Sequence, residues 1–147
     1  MKAVIVLEAL RNGCNSYSSV ANYAIERRGI SISEKTIRRH IMLLRDLGYI
    51  INENRFGFVF AGEGKMNKNA QFGTSAYPIL ILKIISKFKC NHPKQKGIVD
   101  LINVYYGCKI NRKAVGRNLK ALKAMGYPIE RDADGGYLLV SDDIKIN

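Results

Sequence analysis

The run Lys35-Thr36-Ile37-Arg38-Arg39-His40 gathers side chains that donate strong, charge-assisted hydrogen bonds to anionic oxygen. Arginine can also bridge both acceptors on a guanine edge, so this chemistry suits a nucleic-acid groove. A second run holds Arg112, Lys113, Arg117, Asn118 and Lys120 and repeats much of it. At helical spacing, Lys35, Arg38, Arg39 and Met42 share one face, opposite an apolar stripe of Ile37, Ile41 and Leu44. In the second run the cationic face reads Lys113, Gly116, Arg117 and Lys120, opposite Val115, Leu119 and Leu122.

Arg38, Arg39, Arg117 and Lys120 are therefore expected to make groove or phosphate contacts, with Thr36, His40 and Asn118 as secondary contacts. Lys35, Arg112 and Lys113, near the helix amino ends, and Arg55 and Arg131, further along, are expected to hold phosphates. His40 fits a packed surface residue equally well. A basic helix face can also be simply solvated, but a lysine followed four positions later by an arginine occurs in both runs. Gly116 stands where the first run has Arg38, so the second run is expected to read fewer bases or to act as a phosphate clamp.

These helices sit inside a longer repeat. Gly29, Ile32, Lys35, Arg39, Leu44, Gly48, Tyr49, Ile51 and Gly57 recur 78 residues later, without a gap, as Gly107, Ile110, Lys113, Arg117, Leu122, Gly126, Tyr127, Ile129 and Gly135. Each copy opens on an apolar helix, Lys2 to Leu10 and then Ile79 to Phe88. A second helix follows, carrying Val20, Tyr23 and Ala24 in one copy and Ile98, Leu101 and Ile102 in the other, and ending at Gly29 and Gly107. Ser33 and Asn111 cap the third helix, and Gly48 and Gly126 stop it. A hairpin closes each copy, turning through Asn54-Arg55-Phe56-Gly57 and through Asp132-Ala133-Asp134-Gly135-Gly136. Asp132 and Asp134 make the second tip acidic, which disfavours a minor-groove role for it.

Three helices and a hairpin make a winged helix-turn-helix. The expected class is α+β, mainly helical, as two tandem modules over residues 1–61 and 79–147, joined by a linker over 62–78. The run "LKALKAMGYPIERDADGGYLL" within Lys113 to Leu139 resembles the DeoR/BirA-type winged helix at the amino end of bacterial regulators, including those with a WYL sensor domain. "KTIRRHIMLLRDLGYII" in the first copy is similar, and its Thr-Ile-Arg-Arg series is close to that family's recognition helix. The resemblance implies that the third helix enters the major groove and that the hairpin tip touches the adjacent backbone or minor groove. It also implies a departure, since this length leaves no room for the sensor or ligase domain common in that family.

Composition sets the outer bounds. The 147 residues are 47% apolar and carry a formal net charge of +12, with both copies basic and the second more so. Such an excess attracts polyphosphate backbones irrespective of sequence. No apolar run approaches the roughly 20 residues of a membrane span, and no secretion signal is evident, so a cytoplasmic protein is expected. Cys14, Cys90 and Cys108 fit a reducing compartment; with His92 they could be drawn as four zinc ligands, but no pair has the spacing of a zinc module. Cys108 reads instead as a small buried apolar residue.

Ser16, Ser18 and Ser19 read as a helix entry rather than as nucleophiles, and no P-loop or paired-carboxylate site is present. No enzyme, metal or cofactor is therefore expected. A linker of roughly 16 residues would span on the order of 22 Å as a coil, and up to about 55 Å extended; the alternative is a packed linker that fixes the heads rigidly, with Phe72 and Tyr77 as anchors. The reading is a sequence-selective regulator of transcription, a repressor or autoregulator on double-stranded DNA, acting as a two-headed monomer or a homodimer. The alternatives are a protein-interaction module that inhibits a nucleic-acid-binding enzyme, and RNA binding through the wings.

Overall fold

The computed structural model describes residues 1–140, so the last seven residues of the expected second module lie outside the described residues. The chain divides into two compact units, Lys2–Ala70 and the part from Gln71 onward.

In the first unit, α1 (Lys2–Arg11), α2 (Tyr17–Arg28) and α3 (Glu34–Asp46) precede a hairpin of β1 (Tyr49–Asn54) and β2 (Gly57–Glu63). Ala3, Val4, Ile5, Val6, Leu7, Ala9 and Leu10 are all buried, so α1 is apolar around most of its circumference and forms the centre of the unit. Val20 and Ala24 of α2 and Ile37, Ile41 and Leu44 of α3 complete the core with Phe58 from the hairpin. Each valine, isoleucine, leucine or phenylalanine among these contributes about 1.5–3 kcal/mol by leaving water.

Local chemistry sets the helix ends. The Ser16 hydroxyl accepts from the Ser19 amide at 3.1 Å while the Ser19 hydroxyl accepts from the Ser16 amide at 3.0 Å, a reciprocal cap that accounts for the serine cluster. Gly29 and Gly107 end the second helices in the left-handed conformation, at φ 64° and 63°. The Ser33 hydroxyl accepts from the Thr36 amide, and the Asn111 side chain from the Ala114 amide at 2.7 Å, starting both third helices.

The second unit has the same order: a 3-10 turn (Thr74–Ala76), α4 (Tyr77–Lys87), α5 (Gln95–Tyr106), α6 (Arg112–Ala124), β3 (Ile129–Arg131) and β4 (Tyr137–Leu139). Helix α4 begins before the expected Ile79 because Pro78 fits a first helical turn, where its missing N–H costs nothing. Ile98, Ile102, Val115, Leu119 and Leu122 are buried with the apolar face of α4. Cys108 is buried as expected, its thiol donating to the Phe72 carbonyl at 3.3 Å.

The two hairpins differ in length and turn. Asn54 faces Gly57 across a two-residue turn, with the Asn54 side chain accepting from the Phe56 amide at 2.8 Å. In the second, Arg131 faces Tyr137 across five residues, and Asp132 Oδ1 accepts from the amides of Asp134 and Gly136.

Both hairpins dock on the loop before their second helix. The Phe58 amide donates to the Asn15 carbonyl at 2.8 Å, and the Tyr137 amide to the Pro93 carbonyl at 3.0 Å. At that crossing a Cβ on Gly57 would collide with the Asn15 carbonyl, and a Cβ on Gly136 with the carbonyl of His92. Gly57 therefore corresponds structurally to Gly136, not to Gly135 as the gapless repeat suggests; the longer second turn shifts the match by one.

Parts of the stretch 62–78 are engaged within the units on either side. Gly62 and Glu63 finish β2, and Gly64 and Asn67 donate backbone hydrogen bonds to Gly48 and Asp46 of the first unit. Phe72 packs edge-on against Tyr106 at 6.3 Å in the second.

Candidate nucleic-acid interface

On α3, Lys35, Arg38, Arg39 and Met42 are all exposed, whereas Ile37, Ile41 and Leu44 are sealed in the core. The expected division of that helix into a cationic outer row and an apolar inner stripe is what the structure places there. Helix α6 has the same form, with Arg112, Lys113, Arg117 and Lys120 exposed over buried Val115, Leu119 and Leu122.

Arg38 is held from two sides. Its guanidinium lies 5.2 Å from the centre of the Tyr17 ring, and Nη2 reaches Glu34 Oε1 at 3.4 Å. Both partners of that ion pair are largely solvated, so it orients the arginine more than it stabilises the fold. Tyr17 in turn donates its hydroxyl to Glu53 Oε1 on β1 at 3.1 Å and meets Phe58 edge-to-face at 5.3 Å. Burial, with that hydrogen bond to Glu53, pushes the Tyr17 phenol above its usual pKa. Tyr17 thus joins the start of α2, the outer row of α3 and the hairpin, a role that spacing did not reveal. The available signal was that Tyr17 and Arg38 change together, to Gln95 and Gly116, in the second copy.

In the second unit a Cβ on Gly116 would meet Gln95 Nε2 at 2.6 Å, because Gln95 lies across α6 and donates to the Arg112 carbonyl at 3.1 Å. The position is filled by a neighbour's amide instead of by its own cation.

Three expected secondary contacts are engaged elsewhere. His40 is buried, at 8% exposure, and is not on the outer row. Desolvation, then the neighbouring Arg39 charge, lowers its pKa to about 4, so it is neutral at pH 7. Thr36 is half-buried and its hydroxyl accepts from Ser33 Oγ at 3.0 Å and from Arg39 Nη2 at 3.4 Å. Asn118 turns its amide nitrogen back to the Ala114 carbonyl at 2.8 Å. Thr36 and Asn118 thus have polar tips used locally, for the reason given by their short reach.

The wings carry opposite chemistry. Arg55 and Phe56 form the first tip, with the guanidinium 4.8 Å from the Phe56 ring centre and Phe56 80% exposed. In the second, Arg131 is exposed and its guanidinium packs 5.5 Å from the centre of the Tyr137 ring, while Asp132 accepts from Gly136 and contacts His92 Nδ1 at 2.9 Å. Those hydrogen bonds, the Gly136 amide first, hold the Asp132 carboxyl below its usual pKa. One of the two acidic groups at that tip is thus a turn staple.

Among the described residues no group of three His, Cys, Asp or Glu side chains could hold a metal ion, and no helix is long and apolar enough to cross a membrane.

Three helices, a hairpin docked beside the third, and an exposed cationic row on that helix define a winged helix-turn-helix, a class whose general property is DNA binding. Residues 1–59 match the family model of the MCM protein C-terminal winged helix-turn-helix domain. The match supports the winged module in the first unit; it is not to the DeoR/BirA type and does not extend to the second. No curated protein and no solved structure matches the chain.

Proposed function

We propose that this protein is a sequence-selective, double-stranded-DNA-binding regulator of transcription, without catalytic activity, which represses by occupying an operator. The single observation that carries the reading is the exposed row Lys35, Arg38, Arg39 and Met42 on a helix whose other side is locked into the core. A helix held in this way can enter a major groove with little cost in side-chain packing, and its arginines can bridge guanine acceptors while Met42 offers an apolar contact. The Thr36-Ile37-Arg38-Arg39 series supports a kinship with DeoR/BirA-type readers. The second unit is a second winged head that mainly clamps phosphates, because Gly116 removes one reading position and Gln95 covers it. Cys14, Cys90 and Cys108 are all free thiols, which suits work in the cytoplasm.

Selection of duplexes from a random pool at physiological salt, followed by sequencing, tests the reading. A recovered site whose affinity falls about 10- to 100-fold in Arg39→Ala, at unchanged melting temperature, is the expected result. Recovery of no preferred duplex, alongside a stable stoichiometric complex with a protein, would replace it with the protein-interaction reading.

A further inference from the structure

Among the described residues Phe56 is the most exposed of the large apolar side chains, at 80%, and it stands at the apex of a hairpin, where it covers no core. Two features hold it out. The Asn54 side chain accepts from the Phe56 amide, which fixes the turn, and the Arg55 guanidinium lies against the ring at 4.8 Å. An aromatic ring presented at a braced tip with a cation on its face matches the chemistry of a base step flanked by phosphates. The second wing has Asp132-Ala133-Asp134-Gly135 in its turn and no such group, so the feature does not belong to hairpins of this fold as such.

Position and reach agree with that chemistry. The Tyr17 ring stacks under Arg38 on the reading helix and its hydroxyl bonds Glu53 on β1. The tip therefore begins at a point tied to the reading helix and extends roughly 7–10 Å beyond it, two to three residues along the strand direction. Added to the roughly 5–6 Å from the axis of the reading helix to its side-chain surface, that reach comes to about 12–16 Å, comparable with the roughly 17 Å, half of a helical repeat, that separates adjacent major and minor grooves.

We propose that Phe56 inserts as an apolar wedge into a minor-groove base step of duplex DNA, with Arg55 pairing the adjacent phosphate, so that the first head kinks the site it reads. The inference rests on the proposed major-groove docking of α3. Partial unstacking by such a wedge bends DNA toward the major groove by about 20–90°.

The test measures end-to-end energy transfer on a doubly labelled duplex recovered by the selection, together with affinity, for the full chain and for Phe56→Ala, Phe56→Leu and Arg39→Ala. The expected result is a bent complex with the parent chain. Phe56→Ala should lose the bend and about tenfold in affinity, with Phe56→Leu keeping most of both. Because Phe56 is solvated, all variants should melt together. Equal bending and affinity in the parent and Phe56→Ala, or a straight parent complex, overturns the wedge while Arg39→Ala still weakens binding. If Arg39→Ala has no effect either, the docking of α3 fails and the wedge falls with it.

Discussion

Arg38 and Gly116 occupy the same place on two similar helices, and what lies beside them decides their chemistry. Tyr17 offers a ring on which a guanidinium rests in the open, whereas Gln95 reaches over and occupies the space a side chain would need. His40 shows the same dependence on surroundings from the other direction. It lies next to Arg39 in sequence, yet it is turned inward and its pKa is lowered to about 4 by burial and the nearby cation. An unfolded histidine titrates near 6.5, so between about 6.5 and 4 the unfolded chain binds the proton that the folded chain resists. Stability is unaffected above that window and is lost as pH falls through it. From pH 7 to pH 5 this site should cost about 2 kcal/mol of unfolding free energy. Denaturant titrations at the two pH values check this, and His40→Gln should remove most of the difference attributable to the site. An equal pH dependence in His40→Gln would show that carboxylates account for it instead.

At the scale of elements, much was legible. The apolar spacing on α3 and α6, the caps at Ser33 and Asn111, and the left-handed stops at Gly29 and Gly107 are short-range patterns, each set by residues within about one helical turn. What escaped the sequence depends on distant partners. Tyr17 becomes important only when β1 brings Glu53 to it, and the loop carbonyls of Asn15 and Pro93 become anchors only when a strand crosses them. The repeat itself misled at one point, since a gapless register cannot show that the second turn is longer. That crossing gives a sharp prediction. Gly57 has φ 140° and its Cβ position falls on the Asn15 carbonyl, so Gly57→Ala must displace a backbone hydrogen bond as well as adopt a strained conformation. It should lower unfolding free energy by about 2–4 kcal/mol. Gly73→Ala, with open space and no positive φ, should change it by less than about 0.5 kcal/mol. Thermal melts of the two variants make the comparison; similar melting points would mean that the hairpin does not rest on that loop.

For the whole molecule, the net charge of +12 by itself guarantees only attraction to polyanions, whatever the fold. The structure turns part of that charge into two ordered rows, one on α3 and one on α6, each backed by a buried stripe. How many of these cations meet phosphates can be counted from salt, because the logarithm of affinity falls with the logarithm of salt at a slope of about −0.9 for each phosphate neutralised. Engagement of the first unit alone, with Lys35 and Arg55 on phosphates and Arg38 and Arg39 on bases, predicts a slope near about −2. Engagement of both units, adding Arg112, Lys113, Arg117, Lys120 and Arg131, predicts a slope of about −6. The second value is expected, and replacing Arg117 and Lys120 with alanine together should reduce its magnitude by about 2. Because α6 is assigned to phosphates, that double variant should weaken preferred and unrelated duplexes equally, leaving their ratio intact. Anisotropy titrations over a salt series with both duplexes measure slope and ratio in one experiment. A fall in the ratio would mean that α6 reads bases despite Gly116, and an unchanged slope would mean that the second unit's cations face something other than DNA.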